Sequence, residues 1–166
     1  MDAQIFHLLN GLVGKNHLFD VCIYFFAVIA IFLFPLFSFH LVRSGKVLME
    51  MIFSSSIAYS INAALALLWY RERPFHEVSA HVTLDTSRLF DSFPSDHTAI
   101  AFAAATTIFF ASRMRGNIAL ILALFIGVAR VITGVHYPTD IVGGIFTGCI
   151  AAWIVRRFIV SLQSRV

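Results

Sequence analysis

Hydrophobic and polar positions in this chain fall into long blocks, with no alternation of period two. Val21–Phe39 and Met51–Tyr70 contain no Asp, Glu, Lys or Arg, and each approaches the ~20 residues that a membrane-spanning helix needs. Three further apolar runs, Thr98–Ser112, Asn117–Ala129 and Ile141–Val155, are shorter. Each reaches spanning length only if its helix starts or stops inside the polar cluster beside it, which puts Ser95–His97 and Arg130 at helix ends. The first residues, MDAQIFHLLNGLVG, set Ile5, Leu8, Leu9 and Leu12 at helical spacing, the pattern of a helix lying on a membrane surface. A cleavable leader is not expected, because the first apolar run is too long and lacks a basic start. The pattern predicts an all-α, polytopic membrane helix bundle with about five transmembrane helices plus an N-terminal interfacial helix, in a single domain over residues 1–166.

Composition agrees. With 59% hydrophobic and 13% charged residues and a mean hydropathy of +0.85, the chain lies outside the soluble globular range. Pro35 is expected to kink the first span, which neighbouring helices can tolerate. Gly144 and Gly148 form a small-xxx-small pair suited to close helix packing. Cys22 and Cys149 both fall in spans and read as two small buried hydrophobes with no disulfide between them.

The cations set an orientation. Arg43, Lys46, Arg113, Arg115, Arg156, Arg157 and Arg165 fall on one side, and Lys15, Arg71, Arg73, Arg88 and Arg130 on the other. By the positive-inside rule the first group is cytoplasmic, which predicts a membrane protein with its N-terminus out and its C-terminus in. The net charge of +3 and pI near 9.2 reflect that asymmetry. No basic stripe interleaved with aromatics argues for nucleic acid. Oligomeric state is not legible.

One long connection, Arg71 to Phe93, lies on the outer side, and loops of that length are usually functional or mobile. His76, Glu77 and His81 within it resemble a zinc-protease signature, but histidines five apart stand roughly 140° around a helix and cannot share a face. A metal site is therefore not expected.

Three clusters on the same outer side carry phosphate-handling residue types: RERPF at Arg71–Phe75, FPSDH at Phe93–His97, and ARVITGVHYPTD at Ala129–Asp140. Pro138 suits the first turn of the last helix, which places Asp140 in that turn just after His136. The carboxylate can then hold one imidazole nitrogen and leave the other free as nucleophile or base. Ser95 is a good N-cap, and the backbone N–H groups opening its helix offer an anion site. Arg73 and Arg130 present planar forks for phosphate oxygens, with Arg71 as a third cation, so a transferring phosphoryl group could be stabilised without a metal or other cofactor. Asp96, beside His97, either tunes that histidine or simply favours the helix start.

RPF, FPSDH and the AR-x5-H-x3-D spacing together resemble the three signature motifs of the type 2 phosphatidic acid phosphatase superfamily, in the right order from Arg73 to Asp140. The resemblance implies a six-helix core and a role for each residue: His136 as a nucleophile forming a phosphohistidine, Asp140 orienting it, His97 protonating the leaving oxygen and later activating water, and Arg73, Ser95 and Arg130 binding phosphate. Three positions depart from the pattern. Ala66 stands where a lysine is expected, Asp96 replaces a glycine, and Ala129 replaces a serine; Arg71 is the natural substitute for the lysine. The PSDH and R-x-RPF forms and the short chain resemble bacitracin-resistance type undecaprenyl-diphosphate phosphatases, which implies a polyprenyl diphosphate substrate drawn from the surrounding membrane lipids. A phosphatidylglycerophosphate or phosphatidate phosphatase would use the same residues. A non-catalytic lipid transporter or scaffold would need the arginines but not a nucleophile opposite an acid.

The orientation is testable: a cysteine replacing Ser79 is expected to react with an impermeant thiol reagent added outside intact cells. Labelling only after permeabilisation would invert the topology.

Overall fold

The computed structural model describes residues 1–34, 44–77, 81 and 91–163. Its helices are α1 (Asp2–Asn10), α2 (His17–Phe34), α3 (Gly45–Leu68), the single turn α4 (Pro74–Glu77), α5 (Asp96–Ala111), α6 (Arg113–Ile132) and α7 (Pro138–Gln163). Pro35 and Ser79 lie outside the described residues. Helices α2, α3, α6 and α7, of 18, 24, 20 and 26 residues, are long and apolar enough to cross a membrane. Large apolar side chains stand exposed along them, among them Phe53, Leu67, Phe125, Phe146 and Trp153, a surface suited to lipid and costly in water. The protein is a multi-pass membrane helix bundle.

Helix α5 is the hub. At 16 residues it is the shortest of the five apolar helices, and it packs on α7, α6 and α3. Ala99, Ala101, Ala103, Ala104 and Ala105 are all buried, and their small side chains let three helices close around one. The glycine pair supplies the other half of this contact. A Cβ at Gly144 would lie 2.7 Å from the Ser95 carbonyl oxygen, and one at Gly148 would lie 2.4 Å from that of Ala99. Within the core, Ser54 of α3 and Thr107 of α5 share a hydrogen bond of 2.9 Å. Both cysteines are free, but Cys22 is exposed on the outer surface of the bundle and only Cys149 is partly buried, its Sγ 3.4 Å from Thr106 Oγ1. The reading of both as buried hydrophobes is corrected for Cys22.

Helix α1 does more than lie on a surface. Its stripe of Ile5, Leu8 and Leu12 is exposed, while its opposite face inserts Phe6 and Asn10 into the protein. Phe6 meets the Tyr137 ring edge-on at 5.5 Å between centroids. Asn10 Nδ2 donates to the carbonyls of Ile132 (2.9 Å) and His81 (3.0 Å), and its Oδ1 accepts from His81 N–H (2.9 Å). Leu9 of the same periodic set is partly buried beside Phe6, so the apolar periodicity divides between the exposed side and the inward one. Helix α2 contains a π-helical segment, Phe25–Ile29, a widening often found at functional sites. At the far end of α6, Gly134 takes φ +84°, a left-handed conformation that glycine adopts without steric cost. A Cβ there would meet the His81 carbonyl oxygen at 2.9 Å, so the turn toward α7 requires glycine twice over.

Close approach of α5 and α7 predicts that Gly148→Ala destabilises the purified protein in detergent by ~1–3 kcal/mol, the usual range for overpacking. Val142→Ala, on the exposed side of α7, is expected to stay within about 0.5 kcal/mol. Equal midpoints for Gly148→Ala and wild type in thermal unfolding would contradict the packing.

Candidate active site

The turn from α6 to α7 builds the centre of the site. Tyr137 is the residue before α7, Pro138 opens it, and Asp140 occupies its third position. There the carboxylate reaches back, with Oδ2 accepting from the Tyr137 backbone N–H at 2.7 Å; this is the reciprocal half of a capping box. Asp140 is fully buried, and its other bonds come from separate parts of the chain. Ser92 Oγ donates to Oδ2 at 2.5 Å, and Arg71 Nη1 donates to Oδ1 at 2.7 Å. A buried carboxylate held by three donors is well compensated for its desolvation.

His136, 2% exposed, sits beside it in a different arrangement from the one its spacing suggests. Its Nδ1 lies 3.7 Å from Asp140 Oδ2 but 2.8 Å from the Ser92 carbonyl oxygen. A carbonyl only accepts, so Nδ1 carries the proton, and in the neutral ring the lone pair is on Nε2. Asp140 therefore acts at charge-interaction range and through Ser92, not by a direct hydrogen bond. Nε2 faces Arg73, whose Nη1 is 3.4 Å away and donates to the Val135 carbonyl at 3.0 Å. Burial, reinforced by the charges of Arg130 and Arg73 over the opposing pull of Asp140, holds the His136 pKa at about 4 against an ordinary 6.5. Near neutral pH the ring is uncharged.

His136 lines a cavity of about 480 Å³. Arg73, Arg130, His97, Asp96 and Asp91 give it a polar side, and Ile31, Phe32, Tyr59, Phe93 and Ile100 an apolar one. Arg130 reaches it from the last turn of α6, its Nη1 donating at 3.0 Å to the carbonyl of Ala27 in the π-helical segment of α2. Both arginines are buried, and the Nε–H of each is a buried donor without an acceptor among the described residues. Burial lowers the pKa of Arg73 from its ordinary value, against the pull of Asp140, Asp96 and Asp91, yet a guanidinium remains charged under any physiological condition. Asp96, the first residue of α5, forms part of the wall, with Asn62 Nδ2 donating to its Oδ1 at 2.9 Å.

Two expected phosphate ligands stand elsewhere. Ser95 occupies the N-cap position of α5, but its hydroxyl accepts from Thr98 Oγ1 at 3.1 Å and caps no backbone N–H. It is fully buried and is not among the cavity-lining residues. Arg71 also lies outside that lining: its guanidinium bonds Asp140, Thr139 Oγ1 (2.6 Å) and Asp2 Oδ2 (2.7 Å) and stacks 4.2 Å over Tyr137. Burial opposes its charge, and Asp2 and Asp140 outweigh that, raising its pKa. Two carboxylates thus already engage the fork of the residue expected to stand in for the missing lysine. Sequence reasoning missed Ser92, Asn62 and Asp2. Ser92 contributes through a backbone carbonyl that no motif marks, Asn62 sits inside an otherwise apolar span, and Asp2 lies far away in sequence.

Known proteins place this geometry. Residues 47–163 match the PAP2 superfamily. Over 163 residues the chain is 29% identical to the undecaprenyl-diphosphatase BcrC of Bacillus subtilis, covering 95% of this chain and 84% of the relative. Its fold resembles that of Aquifex aeolicus LpxE, with a TM-score of 0.78 and 24% identity over 94% of each chain. A phosphatidylglycerolphosphate phosphatase from Bacillus subtilis is similar at a TM-score of 0.71 and 18% identity, over 96% of this chain and 86% of that one. With the family match covering most of the chain, and with Arg73, His97, Arg130 and His136 of its motifs lining one cavity, the protein belongs to the PAP2 superfamily of membrane phosphatases.

Proposed function

We propose that this protein hydrolyses undecaprenyl diphosphate, or a closely similar polyprenyl diphosphate, to the lipid monophosphate and inorganic phosphate at the outer face of the plasma membrane. The observation that carries the chemistry is the pairing of two buried arginines, each with an unused Nε–H, with two histidines around one cavity. Such donors fit tetrahedral phosphate oxygens, and a buried fork is strong where water does not screen it. The apolar side formed by Ile31, Phe32, Tyr59 and Ile100 suits hydrocarbon next to a headgroup. Support for the lipid comes from the 29% identity to an undecaprenyl-diphosphatase across nearly the whole chain.

In the proposed reaction Arg73 and Arg130 hold the terminal phosphate, and the Nε2 lone pair of His136 attacks its phosphorus in line. The bond to the bridging oxygen breaks, and its electron pair leaves with the lipid monophosphate. His97 supplies a proton to that oxygen where one is needed; a phosphate leaving group needs it less than an alkoxide would. The Ser92 carbonyl keeps the proton on Nδ1, and the nearby Asp140 charge stabilises the cationic phosphoimidazole. Water deprotonated by His97 then attacks the phosphorus, releasing inorganic phosphate and restoring Nε2. Arginine forks carry the electrostatic stabilisation, so no metal is required.

The test is released phosphate from purified protein in detergent with chelator present, offered polyprenyl diphosphate, phosphatidylglycerophosphate and phosphatidate side by side. The diphosphate is expected to have the highest kcat/KM, with His136→Ala abolishing turnover. Preference for either glycerolipid would replace the substrate, and activity in His136→Ala would remove the nucleophile.

A lowered His136 pKa also fixes a sign for stability. Between pH 6.5 and about 4 the unfolded chain takes up a proton at this histidine that the folded chain refuses, so its contribution favours folding above that window and is lost as pH falls through it. The wild-type midpoint is expected to fall more steeply than that of His136→Asn from pH 7 to pH 4. Parallel curves would contradict the burial of a neutral ring.

A further inference from the structure

Behind the cavity the chain's second residue joins the reaction centre. Asp2 Oδ1 accepts the backbone N–H of Thr139 at 3.1 Å, and its Oδ2 accepts Thr139 Oγ1 at 2.5 Å and Arg71 Nη2 at 2.7 Å. The other arm of Arg71, Nη1, lies 2.7 Å from Asp140 Oδ1. One guanidinium thus bridges a carboxylate from α1 and the buried carboxylate of α7, while Tyr137 supports its face at 4.2 Å and is itself packed by Phe6 of α1. Arg71 N-terminal to the cavity residue Arg73 also accepts Ser92 N–H at its backbone carbonyl, 2.9 Å; Ser92 is the residue whose carbonyl holds His136 Nδ1. An unbroken run of hydrogen bonds therefore joins Asp2 of α1 to His136.

We propose that Asp2 and Arg71 form a positioning pair, in which the carboxylate of α1 fixes the Arg71 fork so that it holds Asp140, and with it Ser92 and His136, in the arrangement that presents Nε2 to the phosphate. This rests on the assignment of His136 as nucleophile. Physical reasons favour a positioning role over phosphate binding. Arg71 is not among the residues lining the cavity, and its two Nη nitrogens already donate to two carboxylates and a hydroxyl. Asp140, fully buried, would lose one of its three donors if the fork moved, and a buried carboxylate with a missing partner pulls in water or reorients. Asp2 decides which way the fork faces because Arg71 is part-exposed, at 27% for its side chain, and would otherwise be free to swing into solvent. Helix α1 then belongs to the reaction centre and not only to the membrane surface.

Kinetics separate these roles. Wild type, Asp2→Asn, Asp2→Glu, Arg71→Gln and the Asp2→Asn/Arg71→Gln double variant are assayed in detergent with a polyprenyl diphosphate, and orthovanadate is used as a probe of the phosphate site. Loss of a charge-assisted bond predicts a fall in kcat of roughly tenfold to hundredfold for Arg71→Gln and about fivefold or more for Asp2→Asn. KM and the vanadate inhibition constant are expected to stay within about twofold, as they would for a group that never touches phosphate. Asp2→Glu should recover most of the Asp2→Asn loss, and the double variant should lose no more than Arg71→Gln alone, since the two act as one unit. If Arg71→Gln does not fold, the Asp2 pair carries the test, because Asp2 lies at the protein surface. Losses confined to KM and vanadate binding, unchanged kcat in both single variants, or additive losses in the double variant would each overturn the pairing. A wild type that turns over no lipid phosphate, or an active His136→Ala, would instead refute the nucleophile assignment on which the pairing rests.

Discussion

A single buried carboxylate organises this protein's polar end. Asp140 has no exposure and cannot be hydrated, so it must be bonded on all sides. Its donors come from the turn before α7, from the segment preceding α5 and from the connection after α3. Satisfying one charge therefore fixes three pieces of chain against the first turn of α7. His136 inherits its orientation from that constraint, because the residue that donates its hydroxyl to Asp140 also offers its carbonyl to the imidazole. The alanine hub of α5 and the glycines of α7 provide the complementary condition. They bring two helices close enough that Ser95 N–H can donate to the Asp140 backbone carbonyl at 3.1 Å.

The cavity divides its labour between groups already committed and groups still free. Arg73 and Arg130 each use one nitrogen on a backbone carbonyl, which anchors the guanidinium, and each retains a buried Nε–H. An anchored fork loses little side-chain freedom on binding a ligand. Arg71 differs: it lies outside the cavity lining, and its Nη nitrogens donate to the side chains of Asp2, Thr139 and Asp140.

The helical framework and the gathering of His97, His136, Arg73 and Arg130 at one cavity were legible in the sequence, because both follow from local rules. Spanning length demands that α5, α6 and α7 start or stop within polar clusters, and proline followed by aspartate two residues later marks a helix start. What was not legible depends on contacts across the chain. The hydrogen-bond partner of His136 is a backbone carbonyl, and every residue carries one of those. Arg71 reads as a cation in a phosphate motif, and its partners Asp2, Thr139 and Asp140 all lie 68 or 69 residues away in sequence. The apolar stripe of α1 carried no signal for Phe6 and Asn10, since one ring and one amide make no periodicity. Ser95 was a sound N-cap by residue type and position, yet its hydroxyl engages Thr98 within the first turn.

The account centres on Nε2 of His136 as the atom that takes the phosphoryl group, and trapping that bond tests it most directly. His97→Ala, mixed rapidly with polyprenyl diphosphate labelled at its terminal phosphorus and quenched in base, should retain one label per chain, stable in alkali, lost in acid and mapped by fragmentation to His136. Label on another residue, or wild-type turnover with no protein-bound phosphate at any quench time together with turnover by His136→Ala, would contradict it.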